Sequence, residues 1–553
     1  MGPLSQGDKY EFVTISSAGK PFSDGLYKAL RESNQSLWEL EHLGIVDSEE
    51  SEGKKHEVFQ RFQDTTRFED GRYTVRLPWN EDLVSRLRNN KAVAEQRLRS
   101  ATRTLLRDQE VMNEYDQVIR QYLINGHAER IDVASPSPVA AREYYILHHA
   151  VIRRERETMK VRIVFDASSS APGFLSLNQV LHAGPNLNSA ILSLLLRFRM
   201  HRIGMVAGIE KAFLQIALHK QDTDALRFLW YTSTPIAGQP TPSIETWRMT
   251  RVPFGARSSP FLLSATIQQA EKDYLQAATL LEQSFYVDDL VVSVSTSGNP
   301  RTLHEETLSI FEAAGMKIKK WVTNDEALLR EMFKKGNSTT ETTQNQTKKV
   351  LGVIWDLQHD QLRCSVASVL DSMTEKESVK RHVLQTISRI YEPFGLLGPF
   401  TISGKIMLQK IWEAGLQWND QLPSDVDAEW REWCKGVAEL QHISVPRVIA
   451  SNSFADRLRK LHIFADASPR AYGAVVYLEH LSDDGSRGMA FLLSKSRVSP
   501  LKRQTLPRLE LTAALLAARL YRFVSTALQT EFDYVCWTDS LITLHWIKGS
   551  ASR

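Results

Sequence analysis

Cysteine is scarce in this chain. The 553 residues hold three, Cys364, Cys434 and Cys536. An odd, widely spaced set excludes a disulfide framework and a zinc knuckle, and a reducing compartment fits it best. Long apolar runs are missing as well. No unbroken stretch of about 18 apolar residues occurs, so no membrane span and no membrane partner are expected. The N-terminal MGPLSQGDKYEF carries no apolar signal core, so secretion is not expected, and Gln6 breaks the myristoylation pattern that Gly2 would begin. Excess charge of one sign is also lacking: 68 basic residues stand against 65 acidic ones, a net charge of +3. Any basic groove for nucleic acid must therefore be offset by acidic surface or acidic sites elsewhere. No internal repeat is visible. What remains is ordinary for a globular chain, 42% hydrophobic and 24% charged, and the length implies three or four packed units.

Along the chain, residues 1–35 have little apolar periodicity and read as loose. SLWELEHLGIV (36–46) reads as a short helix with Trp38, Leu40 and Leu43 on one face, and the acidic-basic DSEESEGKKHE that follows as a solvated loop. Arg72 to Trp79 alternates as a strand and stops at Pro78. Residues 81–123 have helical periodicity, with Leu83, Leu87, Ala94, Leu98, Leu105 and Leu106 as candidate core positions of a scaffold. Residues 143–333 alternate short strands with helical runs. GNSTTETTQNQT (336–347) reads as a flexible loop, 348–357 as a strand, and 380–441 as helices broken at PFGLLGP. A composition shift at 447–460 suggests a linker. From Leu461 the pattern becomes three strands, a helix, a strand and the start of another helix.

Two sets of carboxylates stand out. FYVDDLVVSV (285–294) places Asp288 and Asp289 between two β-rich runs, the pattern of a hairpin with both acids at its tip. A solvated turn gives the same pattern. The functional alternative is a ligand pair for Mg²⁺, since hard oxygen ligands suit that ion and phosphoryl chemistry uses paired metals. Further on, LHIFADASPRAYGAVVYL (461–478) puts Asp466 near the end of an apolar strand, where an acid needs hydrogen bonds or a metal. TLPRLELTAALLAARLYRF (505–523) is an amphipathic helix with Pro507 near its start and Glu510 read in its first turn, where the helix dipole alone favours an acid. YVCWTDSLITLHW (534–546) ends an apolar strand at Asp539.

YVDD between apolar strands resembles the signature turn of reverse transcriptases, and five further segments stand in matching order around it. KVRIVFDASS (160–169) resembles the fingers strand whose basic residues, here Lys160 and Arg162, hold the incoming triphosphate. LNQVLHAGPNL (177–187) is similar to the BEL/Pao class of LTR retrotransposons. GIEKAFLQI (208–216) and VPFGARSSPFLL (252–263) follow, the latter resembling the turn and helix under the templating base pair. Gly255 would there let backbone approach the nucleotide, and Phe213 matches the position that selects deoxyribose over ribose, although a buried core Phe is an equal reading. AAGMKIKKWVTN (313–324) resembles the palm segment ending with a lysine, Lys320, near the phosphates. LGVIWD (351–356) and ISRIYEPFGLLGPF (387–400) also resemble the BEL/Pao polyprotein. Asp466, Glu510 and Asp539, with Thr538 and Ser540, resemble RNase H, where such a group binds two metals that cleave RNA paired to DNA.

The resemblance implies an α+β right-hand polymerase of fingers, palm and thumb, followed by a truncated RNase H-like α/β domain. The expected divisions are 1–130, an N-terminal helical or tether region; 131–335, fingers and palm; 336–445, the end of the palm and a thumb or connection; and 446–553, a partial RNase H-like domain. Mg²⁺ or Mn²⁺ is the implied cofactor, held by Asp288, Asp289, Asp466, Glu510 and Asp539. An RNA template, a DNA primer, an RNA–DNA hybrid and dNTPs are the implied partners. Cytoplasmic particles and the nucleus both fit, and the oligomeric state is left open. One departure matters. The family's motif A begins with aspartate, and Gly208 stands there. Magnesium binds through few protein ligands, so polymerase activity is expected to fall by several orders of magnitude. Glu210 lies two residues along the same strand face, roughly 6.6 Å away, too far to take over. The RNase H resemblance implies a fourth carboxylate beyond Arg553, so a sheet lacking a partner strand and doubtful RNase H activity are expected. The alternative function is a non-catalytic nucleic-acid-binding remnant or host-adopted scaffold.

Overall fold

A computed structural model describes residues 13–16, 52–131, 142–155, 158–271, 281, 283–295, 300–334, 346–373, 377–449, 458–481 and 485–549. The expected helix over 36–46 lies outside the described residues, as does most of the loop expected at 336–347.

The palm sheet is organised around the strand Ile203–Ile209, which pairs antiparallel with Asp289–Val294 on one side and Ile318–Thr323 on the other; Phe285–Tyr286 completes the order. The central strand is apolar throughout because both faces are covered. Met205, Ala207 and Ile209 enter one core together with Leu290, Val292 and the N-terminal helices. Val206, Val291 and Val322 enter a second core shared with Trp355, Phe394, Leu461 and Val476. The palm sheet therefore separates two cores, and its second face joins it to the C-terminal part of the chain.

The N-terminal scaffold differs from the expectation in two places. Glu52–Thr65 is a helix rather than a loop at its start, because Val58 and Phe62 form an apolar stripe, Phe62 lying edge-on to Phe261 at 5.6 Å. The long helical run is two helices, Lys91–Leu105 and Gln109–Ile124. The break falls at Asp108, whose carboxylate accepts from the Glu110 and Val111 amides and caps the second helix. Leu87, Ala94, Leu98 and Leu105 are buried as expected, while Leu83 and Leu106 are partly buried. The fingers strands Leu147–Glu155 and Thr158–Asp166 form a two-stranded ribbon.

After the palm, residues 348–357 are a hairpin rather than one strand: Thr347–Val350 and Val353–Asp356 pair across Leu351 and Gly352, both at positive φ. Gln361–Arg363 and Ser444–Pro446 extend this small sheet. Between them the helices Lys380–Ser388, Gly398–Glu413 and Ser424–Val437 pack around Val383, Met407, Ile411, Trp430 and Trp433. The PFGLLGP break docks onto the C-terminal sheet, where the Ser494 amide donates to the Phe394 carbonyl at 2.8 Å and its hydroxyl to the Gly395 carbonyl at 2.7 Å.

The linker expected at 447–460 begins instead with a fixed residue. Arg447 is fully buried; its guanidinium donates to Asp360 at 2.6 Å and to the carbonyls of Phe198, His201 and Arg202. Arg199, also buried, donates to the carbonyls of Pro446 and Leu492. A buried guanidinium is tolerated only with such a full set of acceptors, and these two tie the palm to the small sheet and the C-terminal unit.

That unit is a five-stranded sheet in the order Val13–Ser16, Asp533–Thr538, Leu458–Ala467, Ala471–Leu481, Arg487–Val498. Leu458–Ala467 and Asp533–Thr538 run parallel, and the helix Leu506–Leu528 crosses the sheet from Arg487–Val498 at one edge to Asp533–Thr538. That helix is long and apolar enough by composition to cross a membrane. It is not an unbroken apolar run, because Arg508, Glu510, Arg519 and Arg522 interrupt it, and its Leu509, Ala513, Leu516, Ala517, Leu520 and Val524 are buried. The outer edge of Asp533–Thr538, expected to lack a partner strand, pairs antiparallel with Val13–Ser16. A strand edge exposes unpaired amides and carbonyls, and a short segment more than 500 residues away supplies them with partners here. The whole is an α+β polymerase fold followed by an RNase H-like domain.

Two candidate metal-binding carboxylate sites

The first site is built where the hairpin Phe285–Val294 meets the central palm strand. Tyr286 pairs with Asp289, so Val287 and Asp288 form a two-residue turn, and Val287 adopts φ 57°. Asp289 lies directly opposite Gly208 in the sheet register, and the Ile209 amide donates to the Asp288 carbonyl at 2.9 Å. Burial raises the pKa of both aspartates. Asp289 is pushed up to about 6, by burial first and then by Asp288, against the lowering influence of Lys348 and Lys320. Lys320 sits at φ 58° where the strand Ile318–Thr323 is irregular, between Lys319 and Val322, and its charge reaches both aspartates.

A Cβ on Gly208 would lie 3.7 Å from Asp289 Oδ1 and 3.9 Å from the Asp288 carbonyl, ordinary contact distances. Position 208 thus has room for a β-carbon, and its φ does not require glycine. Glu210 does not turn toward the gap. The strand ends at Ile209, and Glu210 bonds Lys319 at 2.8 Å, which holds its carboxyl below the ordinary value. Glu210 does not share the strand face of position 208 expected from periodicity: it lies past the strand's end, beside the strand on the far side from the aspartates.

Around this pair, Phe213 is buried in the short 3₁₀ turn Ala212–Gln215, edge-on to Phe254 at 4.5 Å, and Phe254 is exposed. Gly255 adopts φ 103°, and a Cβ there would fall 1.9 Å from the Phe165 carbonyl. The close approach expected at Gly255 is thus to the fingers strand itself. Asn178 reinforces the junction, donating to the Gly255 carbonyl at 3.3 Å and accepting from the Arg257 amide at 2.7 Å. Arg162 is exposed on the fingers strand; the Lys160 side chain lies outside the described residues, though its backbone pairs with Arg153. Asp166, at the end of the fingers strand, forms a turn by accepting from the Ser168 amide at 2.8 Å.

The second site lies on the RNase H-like sheet. Asp466 ends the strand Leu458–Ala467, Asp539 follows the strand Asp533–Thr538, and Glu510 lies on the crossover helix. One ligand oxygen from each lies within 4.8 Å of the others, and among the described residues this is the one group of three or more such side chains. The helix begins at Leu506, so Glu510 is past the first turn and the helix dipole does not explain it. It is 8% exposed, and its Oε2 has no hydrogen-bond partner. Burial, then Asp466 and Asp539, push its pKa up to about 7. Ser540 caps the next helix by accepting from the Thr543 amide, and its own amide donates to Thr538 Oγ1, so Asp539 is held between two anchored neighbours. Three converging carboxylates with an orphaned buried oxygen fit a divalent cation of the Mg²⁺ or Mn²⁺ type.

Sequence reasoning missed Lys348 and Asn188. Lys348 follows a polar tract and carries no local signal. Asn188 Oδ1 accepts from the Val287 amide at 2.9 Å and from Ser264 Oγ at 3.2 Å, contacts that only the tertiary fold creates.

A family model described as reverse transcriptase (RNA-dependent DNA polymerase) matches residues 157–353, and one described as Pao retrotransposon-like RNaseH-like domain matches residues 379–540. The second match begins in the helices after the palm and runs through all three carboxylates of the second site. No curated protein matches the chain. Among solved structures, a foamy viral protease-reverse transcriptase dRH in complex with ds DNA is 15% identical, with a TM-score of 0.47, covering 75% of this chain and 60% of that one. The foamy viral protease-reverse transcriptase with an RNA/DNA hybrid is 14% identical (TM-score 0.46; 76% and 47% covered), and with dsDNA 15% identical (TM-score 0.49; 75% and 72% covered). The chain thus spans 60% of the first of these relatives. The chain thus joins a reverse transcriptase region to a Pao retrotransposon-like RNase H-like region, and the two matches together support a BEL/Pao-class retrotransposon origin.

Proposed function

We propose that this chain is an RNA-directed DNA polymerase whose polymerisation step is crippled by one missing carboxylate, while its grip on nucleic acid is retained. The observation that carries the reading is the direct pairing of Gly208 with Asp289, where a β-carbon at 208 would sit in ordinary contact with Asp289. A divalent ion at this site would be held by Asp288 and Asp289 and would supply charge neutralisation at the transferring phosphate. Half-buried Asp288 and exposed Asp289, both with raised pKa values, suit such an ion, because bringing in a cation offsets their partial desolvation and mutual repulsion. Lys320 and exposed Arg162 add positive charge for a triphosphate, together with Lys160 by its position in the sequence. Phe213, held by Phe254, suits a steric check on the sugar. With only two acids the ions are too loosely fixed for efficient in-line transfer.

At the second site, Asp466, Glu510 and Asp539 would hold divalent cations for hydrolysis of RNA in an RNA–DNA hybrid. The absence of a side chain at 208 equally favours a second reading, a nucleic-acid-binding protein without polymerase turnover. Two assays separate the readings. The first is binding of an RNA–DNA primer-template by this chain across a salt series, which should show the steep salt dependence of phosphate contacts. The second is primer extension by the Gly208→Asp variant. Binding together with restored extension supports the polymerase; binding without any extension supports the binding protein; no binding overturns both.

A further inference from the structure

The carboxylate turn has a strained point and a brace. Val287 is β-branched, yet at φ 57° it occupies the left-handed region that such residues avoid. A conformation of this kind persists only where its surroundings impose it. Its amide donates to Asn188 Oδ1 at 2.9 Å, and Ser264 Oγ, from the helix Ser259–Glu271, donates to the same oxygen at 3.2 Å. An amide oxygen has two lone pairs, so both are used. The orientation of Asn188 is fixed in turn by Asn186, whose Oδ1 accepts from the Asn188 amide at 3.1 Å and from its Nδ2 at 3.3 Å. The same segment also grips the base of the hairpin: Ser189 Oγ and Arg197 both donate to the Gln283 carbonyl. The hairpin is thus held at Gln283 and at its tip, from a loop almost a hundred residues earlier in the chain.

We infer that Asn188 is a positioning residue for the polymerase carboxylates. Its side-chain oxygen holds the Val287 amide and keeps the turn in the left-handed conformation that presents Asp288 and Asp289 opposite position 208. Asn188 touches no reacting group; it acts through the turn. Its catalytic consequence rests on the polymerase reading, while the brace itself does not. Glycine adopts the left-handed region freely, so the inference makes a specific claim: Val287→Gly removes the need for Asn188.

The first test uses the full chain and residue-resolved hydrogen exchange. Asn188→Ala should speed exchange of both the Val287 amide and the Ile209 amide, which bonds the Asp288 carbonyl, by roughly tenfold. In the Asn188→Ala/Val287→Gly double variant the Ile209 amide should recover its protection while the residue 287 amide does not. Asn188→Asp, which keeps an acceptor for both donors, should retain Ile209 protection, and it serves as the readout if the alanine variant fails to fold. The second test works in the Gly208→Asp background. There Asn188→Ala should lower kcat about tenfold with KM for dNTP changed less than about twofold, and Val287→Gly should restore most of kcat. Unchanged exchange in Asn188→Ala, or no recovery at Ile209 on adding Val287→Gly, overturns the inference. An inert Gly208→Asp protein overturns the polymerase reading, and the exchange pattern then decides the brace by itself.

Discussion

Glu510→Gln should make the metal-free protein more stable at alkaline pH and remove its response to Mg²⁺. Glu510 is nearly buried, has an unpartnered Oε2 and shares a space under 5 Å across with Asp466 and Asp539. Its folded pKa is pushed up to about 7 from the ordinary value of 4.5, so the folded state holds the proton more tightly than the unfolded chain does. The stabilisation from that proton is fully present below about 4.5, is lost as pH rises toward 7, and is absent above it. Ionised at pH 8 without metal, Glu510 is a net cost. With solvent screening that cost is about 1–2 kcal/mol. The amide carries no charge, so in chelator at pH 8 the variant should melt roughly 2–6 °C higher in the transition of the RNase H-like unit, and at pH 4 the two proteins should melt together. Millimolar Mg²⁺ should raise the native protein and leave the variant unmoved, reversing their order. Differential scanning calorimetry at pH 4, 6 and 8, with chelator or Mg²⁺, reads this directly. Equal melting at pH 8 in chelator, or equal Mg²⁺ shifts in both proteins, would refute a converging carboxylate metal site.

Other consequences can be checked separately. Gly255→Ala forces a side chain into left-handed backbone and onto the Phe165 carbonyl, and should cost about 3 kcal/mol or more in the melting of the fingers-palm unit. Arg447→Ala leaves Asp360 to the neutral donors Trp355 and Asn324 and removes the guanidinium from three backbone carbonyls; a loss of about 3–5 kcal/mol is expected, visible in calorimetry as the palm and the C-terminal unit ceasing to melt together. Phe213→Ala in the Gly208→Asp background should raise ribonucleotide incorporation relative to deoxyribonucleotide by roughly 10–100-fold in single-nucleotide extension, and an unchanged ratio would assign Phe213 to packing alone.

The parts of the molecule legible in the sequence are those written in local pattern. FYVDDLVVSV gave a hairpin because two β-rich runs flank a polar pair, and the C-terminal order of strands and helix followed from their apolar periodicity. The gap at Gly208 was legible because its neighbours Ile209 to Ile216 kept the family pattern. What escaped depends on distant partners. Nothing in VTIS announces that Val13–Ser16 will edge a strand at Asp533–Thr538. A lone Arg447 reads as surface charge until four acceptors converge on it. LGVIWD reads as part of a single strand because the left-handed turn at Leu351 depends on φ, which composition does not encode for leucine. The same-face placement of Glu210 with position 208 fails for a related reason: the strand stops one residue before it, and Lys319 holds its side chain, which leaves Glu210 still unable to take over.

The central claim is that position 208 alone separates this chain from an efficient polymerase. Its most direct test is primer extension on an RNA template, with Mg²⁺ and with Mn²⁺, by this chain and its Gly208→Asp variant at equal active concentration. The native chain should give a faint or absent signal, and the variant should be faster by about a thousandfold or more. Comparable rates from the two proteins would contradict it, and would mean that some acid other than one at position 208 completes the metal site.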